Sequence, residues 1–208
     1  MRVMELATKT GMKDYSQDRE QEYILEAVKD ISVGKFLDIG AFHPTFLSNT
    51  RALWELGWTG VLVEPSPGPM LDLLNEYRDN ERISLISAVV IPETIGSLKS
   101  MRITNGPYST IDAQCYTKWQ ASGGYYGSVY VPALPIEALL QWFGPFDFID
   151  IDVEGGSVGL FKRMLELKAK PKCVCVEYDE HLAMVQHSAL DAGYKQVFRN
   201  ATNIIFAV

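Results

Sequence analysis

The residues with the most chemistry in this 208-residue sequence form the run Asp147-Phe148-Ile149-Asp150-Ile151-Asp152-Val153-Glu154. In an extended strand, side chains alternate between faces, so positions 150, 152 and 154 are expected on one face and Ile149, Ile151 and Val153 on the other. Three carboxylates gathered on a buried strand repel one another and cost stability. A solvated surface explains them poorly, because both flanks are apolar; a cluster that acts on a ligand explains them better. Asp152 and Glu154 are therefore the candidate proton acceptors. Glu177, at the end of the apolar run Cys173–Glu177, adds a fourth acid. An alternative use of Asp152, Glu154 and Glu177 is to hold a hard divalent cation, which prefers carboxylate oxygens.

Two further acids occupy strand ends. Asp38 lies in Leu37-Asp38-Ile39-Gly40-Ala41, where Gly40 lets the backbone turn and approach a ligand. Glu64 ends Val61-Leu62-Val63, 26 residues after Asp38. In nucleotide-binding α/β folds an acid about 20 residues past the glycine turn binds ribose hydroxyls. No G-x-G-x-x-G is present, which argues against a pyrophosphate cofactor such as NAD or FAD. His43, beside the glycine turn, and His181, after the fifth strand, are reserve bases; each could equally be a satisfied structural histidine.

Such residues converge only if strands end side by side. Apolar runs at Lys35–Gly40, Gly60–Glu64, Ile83–Val90, Phe146–Asp152 and Cys173–Glu177 read as strands. Helical periodicity separates them at 48–56, 67–77, 158–167 and 180–192, and an opening helix over 17–31 takes Ser16 as its N-cap. The alternation predicts βαβ units and a mostly parallel sheet, with ligands at the carboxyl ends of its strands. Gln196–Arg199 and Asn203–Val208 read as a terminal hairpin. Residues 1–15 lack a period and are expected to be partly disordered. Thr104–Tyr130, rich in Gly, Ser, Tyr and Trp, reads as a long irregular insertion that covers the substrate. Its rings could stack on a sugar or a planar acceptor.

The bulk properties narrow the partners. One domain over residues 1–208 fits the length. A net charge of −7 and no basic block argue against nucleic acid and anionic membrane. No apolar stretch reaches the roughly 20 residues of a membrane span. Three cysteines, two of them in an apolar strand, suit reduced thiols and a cytoplasmic protein. Oligomeric state is not legible.

Together these residues resemble the FkbM family of methyltransferases. The matching pieces are Ser16-Gln17-Asp18, Phe36–Pro44, Ser48-Asn49-Thr50, Trp58–Pro67, Ser109-Thr110-Ile111, Asp147–Gly155, Val176-Glu177 and Gly193-Tyr194. The resemblance implies a Rossmann-like α/β fold of class I methyltransferases. This is a mostly parallel seven-stranded sheet with helices on both faces and a C-terminal antiparallel hairpin. It also implies S-adenosylmethionine as cofactor and O-methylation of a small-molecule hydroxyl, on a sugar or natural product. The cofactor-binding set it implies is Gln17, Asp38, Gly40, Ala41, Glu64, Ser87 and Ala88. Asp38 and Gly40 would line the amino-acid end, Glu64 the ribose, and Ser87 and Ala88 the adenine. Asp152 and Glu154 would flank the transfer centre. The rival expectations are a nicotinamide-dependent oxidoreductase and a binding module without turnover.

Overall fold

The computed structural model describes residues 11–104, 106–120 and 124–208. The expectation of disorder over 1–15 lies outside these for residues 1–10. Within the described part, the Tyr15 carbonyl accepts from the Ser48 N–H and its hydroxyl donates to Glu55.

The strand–helix alternation folds as expected. Helix α1 (Glu20–Ala27) leads into β1 (Lys35–Ile39), α2 (Arg51–Glu55), β2 (Thr59–Val63), α3 (Pro67–Glu76) and β3 (Ile83–Ile86). After the middle of the chain come β7 (Phe148–Ile151), α6 (Ser157–Glu166), β8 (Cys173–Glu177), α7 (Leu182–Asp191), β9 (Lys195–Arg199) and β10 (Asn203–Ala207). The seven strands are ordered β3-β2-β1-β7-β8-β10-β9. All neighbours from β3 to β8 are parallel, and β10 runs antiparallel to both β8 and β9. The near-continuous apolar strands are what a parallel sheet covered on both faces requires. One face packs Leu37, Ile39, Ile149, Ile151, Val174 and Val176 against α6 and α7. The other packs Phe36, Phe148, Cys173 and Cys175 against α1 and α2, with Trp58 fully buried. The three cysteines are free thiols.

The N-cap of α1 is not Ser16. Arg19 takes that place in a left-handed conformation, while the Ser16 hydroxyl donates to Asp14 and accepts from the Gln21 N–H.

The middle of the chain departs most from its expected form. The strand expected over Ile83–Val90 is two strands, because the chain leaves the large sheet at Ser87-Ala88 and continues as β4 (Val89–Ile91). β4 joins β5 (Ser97–Ile103) and β6 (Gly127–Pro135) in a second sheet, ordered β4-β6-β5. Its inner face buries Val89, Ile91, Met101, Ile103, Val131 and Ala133. The stretch 104–130 therefore is not a plain irregular loop. It carries helix α4 (Ala113–Gln120), a bridge between Arg102 and Thr110, and the start of β6. Helix α5 (Ile136–Phe143) returns the chain to β7. Among the described residues, no helix is long and apolar enough to cross a membrane.

Candidate active site

The carboxyl ends of β1, β2, β7 and β8 open into a cavity of about 500 Å³, roofed by the segment 106–112 and by Trp119 of α4. A parallel sheet aims all four strand ends the same way, so the acids that end them meet.

Gly40 is the floor. Its φ is +95°, and a Cβ there would lie 1.8 Å from the Asp152 carbonyl oxygen. Only glycine admits both the turn and this close approach. Beside it, Glu64 is buried and held by backbone donors: the Phe42 N–H at 3.0 Å and the Ser66 N–H at 2.6 Å. Burial raises its pKa against the pull of these bonds.

The expected single row of Asp150, Asp152 and Glu154 is corrected, because β7 ends at Ile151 and only Asp150 sits within a strand. Asp150 stands in register with Asp38 across β7 and β1. Both are buried. Asn49 Nδ2 donates to Asp150 at 3.0 Å and Thr50 Oγ1 donates to Asp38 at 2.6 Å, while the second Asp150 oxygen has no partner. Burial raises both groups, Asp38 to about 7.

Asp152 and Glu154 leave the strand and line the cavity with Glu177. Asp152 and Glu177 lie close enough for each to act on the other's ionisation. Burial, then the neighbouring acids, raises Asp152 to about 7 and Glu177 to about 10. Two acids raised in this way do not both ionise at neutral pH. Ser157, at the start of α6, completes the corner: its hydroxyl accepts from the Val153 N–H at 2.9 Å and lies 3.3 Å from Glu177.

Glu154 faces the roof. Its Oε2 accepts from Trp119 Nε1 at 2.9 Å and from the Cys115 thiol at 3.2 Å, and its carbonyl accepts from Thr110 Oγ1 at 2.7 Å. Glu154 thus ties the small sheet and α4 to the end of β7. Tyr108 stacks on Trp119 with centroids 4.6 Å apart, and both rings line the cavity.

Of the residues singled out by sequence, Gln17, Gly40, Glu64, Ala88, Asp152, Glu154 and Glu177 line this one cavity. Asp38 lies beneath it in the sheet, and Ala41 and Ser87 adjoin lining residues without lining it themselves. His43 and His181 are not among its lining residues. His43 Nδ1 accepts from the Thr45 and Phe46 N–H groups, and His181 occupies the N-cap position of α7 without a side-chain capping bond among the described residues. Asp152, Glu154 and Glu177 share the cavity, but among the described residues no group of three or more His, Cys, Asp or Glu side chains is arranged to hold a metal ion. Sequence reading assigned nothing to Asp112, Cys115 or Thr202. For Asp112 a signal existed: an aspartate before Ala-Gln-Cys is an N-cap pattern, and its Oδ1 accepts from the Gln114 and Cys115 N–H groups.

The chain was compared with known proteins. No curated protein matches it. Among solved structures it is similar to methyltransferase FkbM from Methylobacillus flagellatus KT, at 14% identity and TM-score 0.51, over 99% of this chain and 58% of that one. It is also similar to the METTL16 MTase domain, at 10% identity and TM-score 0.50, over 90% of this chain and 65% of that one. The chain thus spans less than two thirds of either relative, and these likenesses show the fold. Residues 38–195 match the methyltransferase FkbM domain, and this stretch contains the glycine turn, all the cavity acids and the roof. With three quarters of its length in that match, the chain belongs to the FkbM methyltransferase family.

Proposed function

We propose that this methyltransferase draws its methyl group from S-adenosylmethionine and delivers it to a hydroxyl oxygen of a small molecule, a sugar or natural product. The observation that carries the reading is the single cavity in which a Cβ-intolerant glycine turn, a ribose-suited glutamate and the Asp152–Glu177 pair meet.

The donor set suits the cofactor. Glu64 spends one lone pair on Phe42 and one on Ser66, and a carboxylate keeps further acceptor sites for ribose hydroxyls. Gly40 brings backbone close to the ligand without a side chain in the way. Gln17 and Ala88 line the walls, with Ala88 at the point where the chain leaves the large sheet. No Lys, Arg or His lines the cavity among the described residues, so its acids favour a ligand with positive charge. When bound, S-adenosylmethionine would supply an electrophilic methyl group on a sulfonium.

The chain must align the acceptor and take its proton. Alignment alone can lower a barrier by ~7–11 kcal/mol. We assign the proton to an Oδ of Asp152. It lines the cavity, and a base with a pKa near the working pH is the most effective. Glu154 is the weaker candidate, because its Oε2 already holds Trp119 and Cys115. Its role here is to position α4. Tyr108 and Trp119 would exclude water from above.

Thermal-shift titration tests the cofactor. A ligand at 100 times its Kd stabilises a fold by ~2.7 kcal/mol. S-adenosylmethionine is expected to raise the melting temperature and NAD to leave it unchanged. The reverse would favour a nicotinamide oxidoreductase. Cofactor binding without transfer of label to any of a panel of sugars, phenols and polyketides would favour a binding module.

A further inference from the structure

The cavity wall carries five acids, Glu64, Asp112, Asp152, Glu154 and Glu177, and among the described residues no basic side chain. They fall into two groups. Glu64, Asp152 and Glu177 lie at the strand ends. Asp112 and Glu154 lie under the roof, beside the stacked rings of Tyr108 and Trp119.

The roof acids keep free acceptor capacity. Asp112 uses Oδ1 for the Gln114 and Cys115 N–H groups, and the side-chain donors to Glu154 go to Oε2. Among the described residues, no hydrogen bond engages Asp112 Oδ2 or Glu154 Oε1. A basic side chain near the roof is Lys118, whose ammonium lies 5.1 Å from the Trp119 ring centroid and outside the lining. It draws Glu154 and Asp179 downward in pKa, but burial outweighs it at both.

An anionic acceptor would bring its charge against these carboxylates with no basic side chain in the described lining to receive it, and in a half-enclosed site that repulsion is weakly screened. A protonated amine has the opposite balance. It gains charge-assisted hydrogen bonds to carboxylate oxygens. The rings also offer a flat apolar surface to a sugar ring.

We infer that the acceptor half of this cavity takes a hydroxyl compound that also carries an amine, of the amino-sugar or aminocyclitol class, and turns away phosphorylated or carboxylated acceptors. This rests on the methyl-transfer reading above and narrows it.

The test uses the full chain saturated with S-adenosylhomocysteine, which keeps the cofactor half filled. Glucosamine, glucose and glucose 6-phosphate are matched probes, and their binding is read by ligand-observed NMR titration. Glucosamine is expected to bind about tenfold more tightly than glucose, the effect of one charge pair in a half-buried site. Glucose 6-phosphate is expected to bind more weakly than either. Asp112→Asn keeps the Oδ1 acceptor that caps α4 and removes only charge. It is expected to leave the melting temperature unchanged and to shrink the glucosamine preference about threefold or more. Equal or absent binding of glucosamine and glucose, or tighter binding of glucose 6-phosphate, overturns the inference while leaving the methyl-transfer reading in place. Failure of S-adenosylhomocysteine itself to bind would remove the cofactor reading and this inference together.

Discussion

Two acid pairs sit at neighbouring levels of the large sheet, and they live in different media. Asp38 and Asp150 face each other within the sheet, under Asn49 and Thr50. Asp152, just past β7, and Glu177, the last residue of β8, face the cavity. Both pairs are pushed toward the protonated state by burial. The inner pair has no ligand to meet, so its repulsion is a cost borne by the fold. The outer pair can relieve its repulsion by meeting a cation or by accepting a substrate proton. Residue type alone does not separate a working acid from a structural one; access to the cavity does.

The largest expected effect is at the outer pair. Asp152→Ala is expected to lower methyl transfer by ~10²–10⁴-fold, the usual contribution of a positioned base, while the thermal shift with S-adenosylmethionine is kept. Full activity in that variant, measured with labelled cofactor, would remove Asp152 from the chemistry and erase the contrast between the pairs.

The join between the pairs is Gly40. Gly40→Ala forces a Cβ against the Asp152 carbonyl in a left-handed backbone. It is expected to cost about 3 kcal/mol or more of stability, because the obstacle is backbone and cannot rotate away. Denaturant unfolding reads this. A variant as stable as the parent would show that Asp152 is not held against the glycine turn.

The smallest effect sharpens the contrast most. A carboxyl whose folded pKa lies above its unfolded value stabilises the fold below the unfolded pKa, near 4, and loses that contribution as pH rises through the folded pKa. For Asp38 that loss runs from the unfolded pKa, near 4, up to about pH 7, where it is complete. Asp150→Asn removes one acid of the inner pair and keeps an oxygen for Asn49. It is expected to stabilise the chain by about 1 kcal/mol at pH 8 and by less at pH 5, read from unfolding midpoints. An equal gain at both values would mean that the inner pair does not titrate with folding.

Much of this architecture could be read from residue order. The strand at Cys173–Glu177 matches its expected bounds, because an apolar run closed by an acid has one reading in a parallel sheet. The ends of β1 and β2 are displaced by a single residue at the glycine turns. Glu64, Gly40, Asp152 and Glu154 were visible as strand-end residues, and they do share a cavity. The second sheet was visible only in part: Gly96–Ile103 reads as a short polar strand, and β5 occupies Ser97–Ile103. Its partner β6 contains glycine, serine and proline and pairs with β5 across some thirty residues, so no local period announces the pairing. The role of Glu154 was equally hidden, since its partners Cys115 and Trp119 lie 39 and 35 residues earlier in the chain.

By itself, the sequence determined the alternation of strands and helices, the parallel sheet that follows from it, and which acids end the strands. These depend on short-range periodicity and on the steric freedom of glycine, both written locally in the chain. Tertiary structure alone decided which acids stay dry and which meet the cavity, that both histidines fall outside the lining, and that a second sheet roofs the site. Burial is a property of the whole packing. The protonation and reach of a carboxylate depend on every element around it, so they could be read only once the chain was folded.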